Sequence, residues 1–95
     1  MTENAVTGIL KPKSGVVHTE MEAGAAVLLD METHRYFSLN ESGSFMWRHL
    51  SAGTSVTDTA ALVAERYSLG PEKALKDTEK PVHELSRAGL LLKDA

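Results

Sequence analysis

The chain has no cysteine, so neither a disulfide framework nor thiolate chemistry is available to it. Aromatic residues make up 5% of it, and no apolar stretch approaches the roughly 18 residues of a membrane span; Ala25 to Leu29, a strand's length, is as long as any. Charge of one sign is also lacking. The net charge of -3 carries no basic stripe, which argues against a nucleic-acid partner. The opening Met1-Thr-Glu-Asn has neither the basic nor the apolar part of a secretory signal, and a cytoplasmic protein without a membrane partner is expected.

Catalytic and metal-binding patterns are missing as well. His18, His34, His49 and His83 fall in four different predicted elements, without the spacing of a metal site. No nucleophile elbow and no glycine-rich phosphate cradle is present. Neither a catalytic residue, nor a metal ligand, nor a cofactor is therefore assigned.

What is there suits one small domain. Ninety-five residues with 42% hydrophobic content allow a single core. Residues 1–14 show no sustained period and are expected to be a flexible lead-in, with Gly8 to Leu10 touching the body; residues 15–93 form the folded unit. Val17, Thr19 and Met21 alternate with polar residues and predict a half-buried strand. After a turn at Glu22-Ala-Gly24, the apolar run Ala25 to Leu29 predicts a central strand covered on both faces. A second turn, Asp30 to Thr33, leads to a third strand, His34 to Leu39. It places Arg35, Phe37 and Leu39 on one face and His34, Tyr36 and Ser38 on the other. Such short connections make a meander whose outer strands are edges.

Three helices follow. Asn40 is a natural N-cap with Glu41 in the first turn, Phe45, Trp47 and Leu50 supply apolar contacts, and Gly53 ends the helix. Ser55-Val-Thr-Asp58 opens a second helix that buries Val56, Ala60, Val63 and Tyr67, with Gly70 as its stop. Pro71 starts a third, with Leu75, Thr78, Val82 and Leu85 in one stripe and Gly89 at its end. Pro81 interrupts that helix, so either it kinks or two shorter helices meet there. Leu90 to Leu92 is an apolar tail expected to pack back on the body. The fold class is α+β: a three-stranded antiparallel meander on three helices, a winged helix-turn-helix-like arrangement.

That arrangement admits DNA binding as the alternative function. The third helix would then read the groove, but its Lys73, Lys76, Lys80 and Arg87 are cancelled by Glu72, Asp77, Glu79 and Glu84. A further rival is a small enzyme subunit or activator that never touches a peptide. The third strand favours a different occupant. An unpaired edge beside a helix accepts an extended peptide as an added strand.

Gly24-Ala-Ala-Val-Leu-Leu-Asp30, Arg35-Tyr-Phe-Ser-Leu-Asn-Glu41, Trp47, Ala61 to Arg66 with Tyr67, Asp77, and Glu84-Leu-Ser-Arg-Ala-Gly-Leu-Leu91 stand in a fixed order. That ordered set, from about Gly15 to Leu92, resembles the PqqD-like proteins, the recognition elements of ribosomally made precursor peptides. In its size the chain resembles the stand-alone form that accompanies the leader peptidase in lasso-peptide biosynthesis. The resemblance implies non-catalytic capture of a precursor's leader peptide by strand addition to the third strand, and its presentation to a leader peptidase and a cyclase. It implies contacts from Thr33, His34, Arg35, Tyr36, Phe37 and Ser38 on the strand side. On the helix side it implies Asp77, Thr78, Pro81, Val82 and Leu85. Of these, Phe37, Val82 and Leu85 are the expected apolar anchors, if they are not simply core. The chain departs from the family's pattern at His34, where glycine is common, and at Pro81, which is foreign to the third helix.

Overall fold

The computed structural model describes residues 9–93. Five strands and three helices follow one another as β1 (Leu10–Pro12), β2 (Val16–Glu20), β3 (Ala26–Asp30), β4 (Arg35–Leu39), α1 (Glu41–Ser51), α2 (Val56–Tyr67), α3 (Pro71–Arg87) and β5 (Leu91–Lys93). A single 3-10 turn, Glu22–Gly24, links β2 to β3. The expected meander is there: β2, β3 and β4 form an antiparallel sheet in that order, with Leu28 opposite His18 on one side and Phe37 on the other.

β1 and β5 pair with each other in a separate two-stranded sheet, Leu10 opposite Lys93 and Pro12 opposite Leu91. This moves the start of the folded unit. Leu10 to Pro12, expected within the lead-in, form a strand because Leu10 is an apolar side chain with a place in the core, where it is buried with Leu90 and Leu91. Lys13 extends the tie: its N–H donates to the Leu90 carbonyl at 2.9 Å, and its ammonium meets Asp30 Oδ2 at 2.8 Å. The part of the lead-in before residue 9 lies outside the described residues. The C-terminal tail packs back as expected, and it does so on β1 rather than on the three-stranded sheet.

The inner face of that sheet carries Ala26, Leu28 and Asp30 from β3 and Phe37 and Leu39 from β4, with Val16 and His18 from β2. The facing of β2 is therefore the reverse of the one expected: Val17 and Met21 are about half exposed. The central strand is covered on one face only, since Val27 and Leu29 are partly open on the other. A continuous apolar run cannot distinguish the two cases, because both sets of side chains are hydrophobic.

The helices close the core over Leu28. Asn40 caps α1 by accepting the Gly43 N–H at 2.8 Å, and Ser55 caps α2 by accepting the Asp58 N–H at 3.0 Å. Met46, Trp47 and Leu50 of α1 are buried, so Trp47 is a core residue, while Phe45 is half-buried against the core. α2 ends two residues before the expected glycine, at Ser68 in the left-handed region (φ 56), leaving Gly70 to serve as the N-cap of α3. α3 runs unbroken through Pro81, so the two-helix alternative does not apply. Its buried stripe is Ala74, Thr78, Val82 and Leu85, with Ala74 in the place expected for Leu75.

Candidate functional site

The open edge of β4 follows from the hydrogen-bond alternation. Met31 N–H donates to Gly15 O at 3.0 Å and Met21 N–H to Ala25 O at 2.8 Å. These bonds bracket the β2–β3 ladder and turn the main chain of Val27 and Leu29 toward β2. Ala26, Leu28 and Asp30 are left to bond β4 through their register partners Leu39, Phe37 and Arg35. Tyr36 and Ser38 thus direct one N–H and one C=O each away from the sheet. Among the described residues no strand pairs with that edge, because β5 is engaged with β1.

Two concavities run along this edge and meet at Phe37. The larger, with a volume of about 740 Å³, has Phe37, Ser38 and Leu39 on one wall and Asp77, Lys80, Pro81 and Glu84 of α3 on the other. Met46, Val63, Tyr67 and Leu69 make an apolar floor. The smaller, about 520 Å³, lies toward the β3–β4 turn and is lined by Asp30, Thr33, Arg35, Tyr36, Phe37, Ala88 and Leu90. Both volumes are of the size that accepts a few side chains.

The residues expected at the site divide three ways. Thr33, Arg35, Tyr36, Phe37, Ser38, Asp77 and Pro81 line the two concavities. Thr78, Val82 and Leu85 do not: all three are buried in the core behind the helix wall, and the Thr78 hydroxyl donates to the Ala74 carbonyl at 2.8 Å. A helical stripe at spacings of three and four marks a buried face, and the groove lies on the adjoining one, 77–80–81–84. His34 lines neither concavity. It sits in the turn with φ 62, the left-handed conformation that glycine adopts without strain, so the turn keeps a glycine-like geometry with a histidine in it.

Two polar clusters bound the groove. At the turn end, Asp30 is buried on the inner face. Its Oδ1 accepts the N–H of Glu32 at 2.9 Å and of Thr33 at 3.4 Å, and its Oδ2 meets Lys13. The Lys13 bond, outweighing burial, lowers its pKa to about 2. At the α1 end, Glu41 accepts from Arg66 at 2.7 Å and from the Tyr67 hydroxyl at 2.8 Å. These donors, Arg66 first, pull the Glu41 carboxyl below its usual range, while burial and the Glu41 bond push the Tyr67 hydroxyl up. Arg66 also lies over the Phe45 ring, 5.0 Å from its centroid. Glu41, Tyr67, Lys80 and Glu84 were not among the expected site residues. The i, i+3, i+4 relation of Lys80 and Glu84 to Asp77 and Pro81 is the signal that places them on the same wall.

A family model described as PqqD, coenzyme PQQ synthesis protein D, matches residues 25–91. The chain belongs to the PqqD family. No curated protein matches it. Among solved structures, TbiB1 in complex with the TbiA(beta) leader peptide is similar at 26% identity and a TM-score of 0.81, over 90% of this chain and 98% of that one. Lasso peptide synthetase B1 complexed with the leader peptide shares the fold, at 24% identity and a TM-score of 0.78, over 87% of this chain and 96% of that one. Among the described residues of this PqqD-family chain no helix is long and apolar enough to cross a membrane. Among the same described residues no three of His, Asp and Glu group so that they could hold a metal.

Proposed function

We propose that this chain captures the leader of a ribosomally made precursor, a lasso-peptide precursor, as a fourth strand on β4, and presents it to a leader peptidase and a cyclase without doing chemistry itself. The observation that carries this reading is the β4 edge. Tyr36 and Ser38 offer main-chain groups outward beside an apolar-floored groove, while the chain's own tail is engaged elsewhere. Membership in the PqqD family and likeness to a leader-bound TbiB1 support it.

An incoming strand would place alternate side chains toward the groove, on the Phe37 side, and the others on the open outer face with Tyr36. Main-chain bonds net about 0.5–1.5 kcal/mol each, and each residue fixed costs about 1–2 kcal/mol of backbone entropy. The edge alone therefore cannot hold a disordered peptide. The floor of Met46, Val63, Tyr67 and Leu69 must supply the remainder by burying an apolar anchor, at about 1.5–3 kcal/mol for a large side chain. Specificity then lies in the pockets and capture in the edge. We place this activity in the cytoplasm, where precursor and modifying enzymes would meet.

A fluorescent peptide with the leader sequence of a precursor encoded beside this chain tests the reading. Saturable binding at micromolar protein is expected, with slowed hydrogen exchange at the Tyr36 and Ser38 amides. Absence of saturation with such leaders would overturn it. Co-purification with the neighbouring peptidase, enhanced by leader, is the expected sign of the presentation step.

A further inference from the structure

Pro81 lacks the N–H that would close the helical bond to the carbonyl four residues earlier, and that carbonyl belongs to Asp77. A helical carbonyl points along the axis toward position i+4. Asp77 and Pro81 both line the larger concavity, which puts this turn of the helix, and with it the carbonyl that lacks its i+4 donor, on the wall facing β4. Neighbouring side chains do not fill the position: Asp77 turns its carboxylate to Lys73 at 3.4 Å, and Thr78 donates to Ala74 instead. The remaining residues of this wall, Lys80 and Glu84, offer exposed charged ends.

We infer that the Asp77 main-chain carbonyl, left open by Pro81, is a fixed recognition group of the groove. It accepts a hydrogen bond from an N–H or O–H on the helix-facing side of the bound peptide. The inference rests on the peptide-binding reading above and adds to it a requirement on the ligand. The peptide position lying against Asp77–Pro81 must carry a donor, because a purely apolar group there would desolvate the carbonyl with no partner. An acceptor built from helical backbone is held more rigidly than any side chain on this wall, so it constrains the ligand's register as well as its chemistry. It also gives the helix-breaking residue a use: the cost of proline within α3 falls on the free protein and is offset in the complex.

The test uses random 16-residue peptides displayed on phage and selected on the intact protein, keeping binders that protect the Tyr36 and Ser38 amides from exchange. One binder is then measured against three proteins: the wild type, Pro81→Ala, and a protein carrying lactic acid at position 81. Lactic acid has the alanine side chain but an ester oxygen in place of the N–H. Pro81→Ala restores the donor to Asp77, so its Tm should rise while its Kd for the peptide rises about tenfold, equivalent to 1.4 kcal/mol. The lactic acid protein should return the Kd to within about twofold of wild type, because its carbonyl at Asp77 is open again. Equal binding by wild type and Pro81→Ala overturns the inference, as does a lactic acid protein as weak as Pro81→Ala, which would assign the loss to the missing proline ring. Failure to select any peptide that protects the β4 edge overturns the binding reading and the inference with it; indifference to position 81 overturns the inference alone.

Discussion

Leu85→Ala separates the core from the groove. Leu85 is 1% exposed on the face of α3 that packs inward, although its spacing alone suits a peptide anchor. The substitution removes three buried carbons at about 0.8 kcal/mol each, and the cavity left behind raises the cost to about 3 kcal/mol. With a urea slope of about 1.5 kcal/mol/M the unfolding midpoint should fall by about 2 M with the slope unchanged. Tm should fall by about 12 °C or more, since a domain of this size loses about 4–8 °C per kcal/mol. The variant still folds in the cold, given a total stability of about 5–15 kcal/mol. There its affinity for a groove-binding peptide, read by fluorescence anisotropy, should stay within about threefold of wild type. Phe37→Ala should invert the pattern: Phe37 is only partly buried and lines both concavities, so affinity should drop at least tenfold while the midpoint moves less than in Leu85→Ala. If Leu85→Ala abolished binding while leaving the unfolding midpoint in place, the assignment of the 74–78–82–85 stripe to the core would be wrong.

Three further outcomes are expected. His34→Gly relieves a left-handed side-chain residue at about 1–2 kcal/mol and gives back part of this in unfolded-state entropy, so thermal unfolding should show a gain of up to about 1 kcal/mol. A lower Tm would mean that His34 makes a contact outweighing the strain. Asp30 has its pKa lowered on folding, so its contribution is fully present above its unfolded pKa near 3.8 and is lost as pH falls toward 2. Asp30→Asn should flatten the Tm-against-pH curve in that window, and an unchanged curve would remove the Lys13 bond as its cause. Tyr67→Phe deletes a donor to Glu41, so the Glu41 carboxyl should titrate at higher pH by NMR while remaining below the ordinary range because Arg66 stays; no change would show that Arg66 alone sets it.

The meander, the three helices and their caps were legible because each rests on local chemistry: Asn40 and Ser55 accept from the amides three residues on, and the short loops leave no other pairing for β3. Facing was less legible. Val17 and Met21 alternate as a buried face would, yet the inner positions of β2 are Val16 and His18, because register with Leu28 decides which set turns inward. The strand at Leu10–Pro12 was hidden for a related reason: three residues are too few to show a period, and their partner is at the other end of the chain. In the site, a strand's strict alternation sets the facing of β4, with Phe37 and Leu39 inward and Tyr36 outward, while the contact residues themselves came from the resemblance, which also named His34, a residue that lines neither concavity. On α3 the resemblance implied Thr78, Val82 and Leu85, which belong to the buried apolar stripe, whereas a solvent-facing wall beside a groove is built of charged and irregular residues that no hydrophobic period marks.

The β1–β5 pairing is what makes the β4 edge available. A three-stranded sheet has two edges, and a chain whose end carries Leu90, Leu91 and Leu92 has in that end a strand suited to cover either of them. Here that strand is taken by Leu10–Pro12, and the small sheet is fixed to the larger one through Lys13, which bonds Leu90 by its main chain and Asp30 by its side chain. Asp30 in turn holds the β3–β4 turn through the Glu32 and Thr33 amides. The same carboxylate thus ties the tail's partner to the turn end of the groove, so loosening β1 should free β5 and disturb β4 together. Of the two edges, β2 has no concavity beside it among those described, whereas β4 borders both. An edge with a cleft accepts side chains as well as main chain. Backbone pairing alone would take up any extended segment, including another copy's β2; under the proposed capture, it is the cleft along β4 that would turn a general liability of open sheets into selection of one peptide.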